Sequence, residues 1–205
     1  MRSIQWGALS VRPSKIICIG RNYVAHAEEL GNAVPKEPVI FIKPNSAIGD
    51  VLLSTKGETL HYEAELCFLV KNKQFTALGI GLDLTKRALQ KTLKDHQLPW
   101  ERAKSFDGSA VFSEFIDLNE DLNIEDLGIR LSINHIVKQS GNVTQMLFKP
   151  KELLRFIQTD ISFEDGDILM TGTPEGVGAI ASGDFFQAEV LHRGTVILNC
   201  QWTAR

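Results

Sequence analysis

Short apolar runs bounded by glycine, proline or turn residues recur along the chain and predict strands. Lys15–Gly20 ends at a glycine, Pro38–Lys43 is followed by a second proline, and Thr59–Lys71 changes from polar to apolar along its length. A fourth run, 167–171, follows the turn sequence Glu-Asp-Gly. Runs of this length with such boundaries are typical of strands, so we predict a strand in each of these four segments.

Two hairpins are predicted in the second half of the chain. Residues 128–138 and 143–147 lie on either side of Ser-Gly-Asn, a sequence that favours a tight turn. Residues 184–191 and 195–202 lie on either side of His-Arg-Gly. In both cases the spacing predicts two antiparallel strands joined by a short loop.

Three short helices complete the prediction. Residues 22–30 suit a helix with Asn22 as its N-cap and Gly31 as its stop, and residues 84–96 suit a second helix with Asp83 as its N-cap. A third, amphipathic helix spans residues 149–159 and is expected to turn four apolar side chains inward: Leu153, Leu154, Phe156 and Ile157. Strands do not alternate regularly with helices, so the pattern favours a mainly β fold with short helices (α+β), mostly antiparallel, over a doubly wound parallel sheet.

Composition narrows the class of protein. The 205 residues, without repeat or linker, favour one domain over 1–205, and 43% hydrophobic with 23% charged residues exclude disorder for most of the chain. Acidic residues outnumber basic ones by 25 to 22, which argues against a nucleic-acid partner. No apolar run reaches the roughly 18 residues of a membrane span, and the N-terminus lacks the apolar segment of a secretory signal. Three widely spaced cysteines argue against a disulfide framework or zinc site and favour a cytoplasmic protein.

Two glutamates are the first candidates for chemistry. In a strand, Glu63 and Glu65 point the same way, about 7 Å apart, so their charges repel. A divalent cation would relieve this repulsion, because hard ions prefer carboxylate oxygens. The alternative is a solvated strand face, where this pattern is common. Asp83 is the third candidate carboxylate, although an N-cap role also explains it.

A histidine and a glycine-rich segment supply further candidates. His26 and Glu29 share one face of the first predicted helix, where a carboxylate can orient a general base; a surface pair is the alternative. The segment Gly172–Gly178 offers backbone N–H groups and the Thr173 hydroxyl to an anion such as a carboxylate, or it is an ordinary turn. Nothing in its local sequence distinguishes Lys104 from other lysines.

Six of these segments, in this order, resemble the fumarylacetoacetate hydrolase superfamily. The resemblance covers the chain from about Lys15 onward and is greatest to the small single-domain members, which are acylpyruvate hydrolases, oxaloacetate decarboxylases and isomerases of aromatic degradation. The matching segments are Ile19-Gly-Arg-Asn-Tyr23 with His26 and Glu29, Pro38-Val-Ile-Phe-Ile-Lys-Pro44, His61-Tyr-Glu-Ala-Glu-Leu66, Asp83-Leu-Thr-Lys-Arg-Ala-Leu-Gln90, Pro99-Trp-Glu-Arg-Ala-Lys-Ser-Phe106 and Gly166-Asp-Ile-Leu-Met-Thr-Gly-Thr-Pro-Glu-Gly-Val-Gly178.

The resemblance implies a mixed β-sandwich roll of the fumarylacetoacetate hydrolase C-terminal-domain type, usually dimeric, with 1–205 as one catalytic domain. It also implies a role for each of ten residues. Metal ligands for Mg²⁺ or Mn²⁺ are Glu63, Glu65 and Asp83; the base dyad on a mobile lid is His26 and Glu29; the stabiliser of negative charge is Lys104; and the residues that line the substrate pocket are Arg21, Arg87, Gln90 and Thr173. Ca²⁺ suits the same oxygen ligands.

The implied activity is cleavage of a C–C bond in a small anionic 2-oxo acid, such as an acylpyruvate or fumarylpyruvate, by a metal-dependent hydrolase or lyase. Oxaloacetate decarboxylation, or isomerisation of 2-hydroxyhepta-2,4-diene-1,7-dioate, is the alternative, and a non-catalytic metal- or 2-oxo acid-binding protein is a third reading. The chain departs from the family in one place. The connection between Glu65 and Asp83 is shorter than is usual, so Asp83 must return to the glutamates by a tighter path.

Overall fold

The computed structural model describes residues 1–31, 33–119 and 121–205, which form sixteen strands and four α-helices. The strands are β1 (Ile4–Trp6), β2 (Leu9–Val11), β3 (Lys15–Gly20), β4 (Val39–Pro44), β5 (Leu60–Tyr62), β6 (Ala64–Lys71), β7 (Gln74–Asp83), β8 (Thr85–Lys86), β9 (Ala110–Phe112), β10 (Ile116–Asp117), β11 (Leu127–Ile133), β12 (Ile136–Asn142), β13 (Ile168–Met170), β14 (Gly178–Ala179), β15 (Phe185–His192) and β16 (Thr195–Thr203). The helices are α1 (Val24–Glu29), α2 (Arg87–Asp95), α3 (Glu101–Lys104) and α4 (Pro150–Ile157). No helix in the described ranges is long and apolar enough to cross a membrane.

The described residues form two larger sheets, a small three-stranded sheet and the two-stranded sheet β1-β2. The largest has the order β10-β7-β6-β13-β3-β4, with β9 also beside β7, and among its pairs only β13 with β3 is parallel. The second is the antiparallel sheet β12-β11-β15-β16, and the third has the order β14-β5-β8. The mainly β, mostly antiparallel fold predicted from the sequence is therefore confirmed.

Strand β6 explains how the sheets pack. Leu66 and Phe68 face the core between the two larger sheets, whereas Cys67 and Leu69 face a separate apolar cluster on the other side of the largest sheet. Both faces are buried, so the strand is apolar at successive positions rather than at alternate ones. A T-shaped contact between Tyr62 and Phe186, with ring centroids 5.4 Å apart, joins the small sheet to the second sheet.

The path from Glu65 to Asp83 is a tight hairpin. Asn72 and Lys73, with φ of 51° and 60°, turn the chain so that β7 runs back along β6 and Glu65 pairs with Gly81. The Asp83 amide donates to the Glu63 carbonyl at 2.8 Å. The short connection therefore returns Asp83 directly to the two glutamates.

Three sequence predictions around the site and the second sheet are wrong. The predicted strand Thr59–Lys71 is broken at Glu63, because β5 leaves the large sheet to pair with β8 and β14. Asp83 does not cap a helix; it ends β7, and α2 begins four residues later at Arg87. The hairpin predicted around 140–142 instead turns at Asn134 and the residue after it, where φ is 50° and 67°, and residues 140–142 lie within β12.

Asn22 and Phe156 also differ from expectation. Tyr23 occupies the N-cap of α1 without a side-chain hydrogen bond, while the Asn22 amide donates to the carbonyls of Phe148 at 3.0 Å and Thr171 at 2.8 Å. Asn22 therefore joins three segments of chain instead of capping the helix. In α4, Leu153 and Ile157 are buried and Leu154 partly so, but Phe156 is exposed.

Candidate metal centre and active site

Three carboxylates from two segments of the chain converge in the interior. One oxygen from each of Glu63, Glu65 and Asp83 lies within 4.8 Å of the others, and all three residues are buried. Glu63 stands where the chain passes from the small sheet to the largest one, and the hairpin places Asp83 beside it. The sequence prediction that these three side chains meet is confirmed in geometry.

Basic side chains and one backbone amide surround the cluster. Lys104 Nζ lies 2.7 Å from Glu63 Oε2, from Asp83 Oδ2 and from Thr85 Oγ1. The Arg87 guanidinium forms an ion pair with Glu63. Among the described residues no basic side chain forms an ion pair with Glu65, which accepts a hydrogen bond from the Gly172 amide at 2.7 Å.

The surroundings shift the pKa values of Glu65 and Glu63 in opposite directions. Burial, followed by the charges of Asp83 and Glu63, raises the pKa of Glu65 well above its ordinary value. Burial would also raise the pKa of Glu63, but the nearby charges of Lys104 and Arg87 outweigh it and hold that pKa below its ordinary value. The negative charge around Glu65 is therefore incompletely balanced by the cations of the chain.

These residues fit a divalent cation. Within the described residues, Glu65 forms no ion pair with a basic side chain, and Asp83 Oδ1 accepts no hydrogen bond although Lys43 Nζ lies 2.8 Å away. Three hard oxygen ligands in one buried cluster are the donor set that Mg²⁺, Mn²⁺ and Ca²⁺ prefer.

His26 and Glu29, the predicted base dyad, lie at the rim of the carboxylate cluster. His26 is buried in α1, and its Nδ1 lies 3.3 Å from Glu29 Oε2. The Glu29 carboxylate accepts from the Gly176 amide at 3.0 and 3.2 Å. The glycine-rich segment thus binds carboxylates as the sequence suggested, but they are those of Glu65 and Glu29 within the same chain.

Nine of the ten residues proposed from the sequence line one pocket. They are Arg21, His26, Glu63, Glu65, Asp83, Arg87, Gln90, Lys104 and Thr173, and they share it with Ile19, Gly20, Leu30, Phe41, Lys94 and Trp100. Glu29 is not part of this lining, but it lies next to His26, which is. The structure therefore brings the ten together, while their individual roles stay predictions.

Several pocket residues are oriented by neighbours inside the site. The Arg21 guanidinium lies 5.6 Å from the ring centre of Trp100, and Arg87 donates to Gln90 Oε1 at 2.7 Å. The Thr173 hydroxyl donates to the Ala64 carbonyl at 2.8 Å. Since this donation uses its only proton, Thr173 can offer a ligand just an acceptor in this arrangement.

Sequence reasoning missed two buried polar residues beside the site. Lys43 has no exposed surface, and its Nζ lies 2.8 Å from Asp83 Oδ1. Gln139 Nε2 donates to Thr173 Oγ1 and to the Pro174 carbonyl, each at 2.7 Å, and so fixes the glycine-rich segment. Lys43 stands two residues after Phe41 in an otherwise apolar strand, and this unusual position could have identified it. Nothing in the local sequence distinguishes Gln139.

Comparison with known proteins agrees with this geometry. The family model described as fumarylacetoacetate (FAA) hydrolase C-terminal matches residues 15–201. The oxaloacetate tautomerase YcgM of Escherichia coli (strain K12) is 36% identical over 195 residues, covering 87% of this chain and 89% of that protein. The mitochondrial oxaloacetate decarboxylase of Dictyostelium discoideum is 31% identical over 192 residues, covering 86% and 88%.

A solved structure is similar over nearly the whole length. The fumarylpyruvate hydrolase of Pseudomonas aeruginosa, in complex with Mn²⁺ and pyruvate, has a TM-score of 0.88 and 25% identity, covering 98% of this chain and 94% of that one. The family match extends over most of the chain, and the named relatives are enzymes. This protein belongs to the fumarylacetoacetate hydrolase family.

Proposed function

We propose that this protein is a divalent-metal-dependent enzyme that cleaves a C–C bond in a small 2-oxo acid, with acylpyruvates such as fumarylpyruvate as substrates and Mg²⁺ or Mn²⁺ as cofactor. The observation that carries the proposal is one pocket lined by the three carboxylates, Lys104 and His26. Simple binding of an ion or an acid would not require a base beside the ligand cluster. The hydrolase solved with Mn²⁺ and pyruvate supports the same assignment.

A bound divalent ion would act as a Lewis acid, stabilising negative charge on the oxygen of the 2-oxo group. The side chains of Glu63, Glu65 and Asp83 would hold that ion. Lys104 Nζ has three oxygen atoms as neighbours. It can offer the same protons to the anionic oxygens of the substrate. An anionic substrate therefore meets positive charge from both the ion and the chain.

The histidine supplies the proton transfers. When His26 Nδ1 donates to Glu29, Nε2 is left as an acceptor for a proton from water. The water oxygen then attacks the acyl carbonyl carbon, the bond from that carbon to the neighbouring methylene breaks, and the electron pair passes to the pyruvate part as an enolate. The proton held by His26 returns to the enolate carbon, which gives pyruvate and a carboxylic acid.

Oxaloacetate is the second candidate substrate, favoured by the names of the relatives, which are a tautomerase and a decarboxylase. Loss of CO₂ from oxaloacetate gives the same pyruvate enolate, whereas removal of a proton from its methylene carbon gives the enolate of oxaloacetate itself, which is the intermediate of tautomerisation. Decarboxylation needs no activated water, so the two reactions differ in their demand on His26.

The test uses protein freed of metal with a chelator and assayed on acetylpyruvate, fumarylpyruvate and oxaloacetate. We expect no turnover until Mg²⁺ or Mn²⁺ is restored; full activity in protein verified to be metal-free would contradict the proposal. His26→Ala should lower hydrolysis by roughly 10²- to 10⁴-fold while Mn²⁺ binding is unchanged. Loss of hydrolysis with retained decarboxylation would identify the water-activating role, and binding of the 2-oxo acids without any turnover would favour a non-catalytic protein.

The homodimer that the resemblance implies, and the cytoplasmic location predicted from the sequence, stay predictions. Sedimentation velocity of the purified chain tests the first. A species twice the 22.8 kDa mass of the chain is expected, and a single monomeric species would contradict it.

A further inference from the structure

A lysine lies behind the carboxylate cluster, on the side away from the pocket. Lys43, in β4, is fully buried and does not line the pocket. Its Nζ donates to the Ser109 carbonyl at 3.1 Å, to Ser109 Oγ at 3.0 Å and to the Lys104 carbonyl. With Asp83 Oδ1 at 2.8 Å, four oxygen atoms surround an ammonium group that has three protons, so Nζ is held in place.

The contact of Lys43 with the cluster is one of charge. Its Nζ forms an ion pair with Asp83 Oδ1 at 2.8 Å, without the alignment of a hydrogen bond. Lys104 and Arg87, the cations that pair with Glu63, also line the pocket, so each can turn toward a ligand. Lys43 cannot, because it is fully buried behind the site and oxygen atoms of the chain surround its Nζ.

We propose that Lys43 is a specificity-determining residue: a fixed positive charge that weakens ion binding and makes the loaded site select a doubly charged 2-oxo acid over a singly charged one. The inference rests on the proposed function, because it concerns the same site. Three ionised carboxylates are matched by the charges of Lys43, Lys104 and Arg87, and Arg21 and Lys94 also line the pocket. With a divalent ion bound, positive charge exceeds negative charge by at least two, which a dianion offsets better than a monoanion does.

The size of the effect follows from proximity. An ion bound by Asp83 would lie within roughly 7 Å of Lys43 Nζ, and charges at that range inside a protein interact strongly even at an effective dielectric constant of about 20. We therefore expect removal of the charge to tighten Mn²⁺ binding by about 10- to 100-fold. A lysine that only supported the fold would give the opposite sign, since losing it would loosen the cluster and weaken binding.

The first measurement is calorimetric titration of metal-free protein with Mn²⁺. Lys43→Met and Lys43→Gln, both neutral, should bind Mn²⁺ at least tenfold more tightly than wild type, whereas Lys43→Arg should stay within about threefold. Ser109→Ala, which removes one support of Lys43 but keeps its charge, is the matched control and should also stay near wild type. Equal or weaker binding by the neutral variants would overturn the proposal.

The second measurement uses oxalate and oxamate, which have the same shape and differ by one negative charge. On the Mn²⁺-loaded protein, the preference for oxalate should fall about tenfold in the neutral variants and persist in Lys43→Arg. If the neutral variants do not fold, the wild-type protein still tests the inference, because equal affinity for oxalate and oxamate would overturn it. Neither titration requires turnover, so an inactive chain would refute the proposed function without deciding this one.

Discussion

Gly176 links the glycine-rich segment to the predicted base dyad, and replacing it with alanine tests that link. Its φ is +94°, and a Cβ added there would lie 1.9 Å from the Lys138 carbonyl oxygen. The same residue donates its N–H to Glu29, which lies next to His26. Gly176→Ala therefore perturbs the dyad without removing any functional side chain.

The cost can be estimated from these contacts. Ordinary contact begins at about 3.4 Å, so the segment and the Lys138 carbonyl must separate by more than 1 Å. Such a shift takes the Gly176 amide out of hydrogen-bond range of Glu29, which it now contacts at 3.0 Å. A left-handed non-glycine residue costs about 1–2 kcal/mol and an overpacked contact about 1–3 kcal/mol, so the free energy of unfolding should fall by about 2–5 kcal/mol.

Gly183→Ala is the matched control. Gly183 has a φ of +89°, but an added Cβ meets no atom within 4 Å. In the Gly183→Ala variant, backbone strain should lower the free energy of unfolding by only about 1–2 kcal/mol, and the hydrolytic activity should be kept. Gly176→Ala should lose hydrolysis by about 10- to 100-fold, because a shift of 1 Å in a catalytic group has that order of effect.

The assay combines urea unfolding with kcat for acylpyruvate hydrolysis in wild type and both variants. The reasoning is refuted if Gly176→Ala is no less stable than Gly183→Ala, or if it hydrolyses the substrate at the wild-type rate below its unfolding transition. The first result would show that the Lys138 carbonyl yields freely, and the second that Glu29 does not need the Gly176 amide.

Two other residues give stability predictions. The buried Asp167 side chain accepts a hydrogen bond from Lys15 Nζ at 2.6 Å. Burial alone would raise the pKa of Asp167, but the hydrogen bonds from Lys15, Glu164 and Ser14 outweigh burial and lower that pKa. The ionised carboxylate therefore stabilises the fold at pH values above its ordinary pKa, and this contribution is lost as the pH falls through the lowered pKa. Asp167→Asn should therefore cost about 3 kcal/mol in urea unfolding at pH 7 and much less near pH 2, and an equal cost at both would contradict this. Gly81→Ala would place a Cβ 2.6 Å from Cys67 Sγ, so a loss of about 1–3 kcal/mol is expected, and an unchanged melting temperature would show that the core yields there.

Much of the fold could be predicted from local pattern. Lys15–Gly20 and the final hairpin lie where their apolar runs and turn residues placed them. Strand β7 was missed, because its turn at Asn72 and Lys73 has no glycine and because Gly79 resembles a loop residue. The space above Gly79 is filled by the Phe115 ring, 3.0 Å from where a Cβ would stand, and such long-range packing leaves no local trace in the sequence.

The candidate site was predicted less completely. Local spacing suggested Glu63 with Glu65 and His26 with Glu29, and the resemblance added the rest. The role of Lys43 depends on β3, α3 and β9 folding around β4, and no spacing along the chain shows that its Nζ reaches Asp83. Three-dimensional contact, rather than residue type, distinguishes this lysine from the exposed ones.

Calorimetric titration of metal-free protein with Mn²⁺ tests the central claim most directly. The account predicts one site per chain in wild type, at least 100-fold weaker binding in Glu65→Gln, and unchanged binding in Glu189→Gln, a glutamate paired with Arg130 away from the cluster. Wild-type protein that binds no Mn²⁺, or a Glu65→Gln variant that binds it as tightly as wild type, would contradict the account.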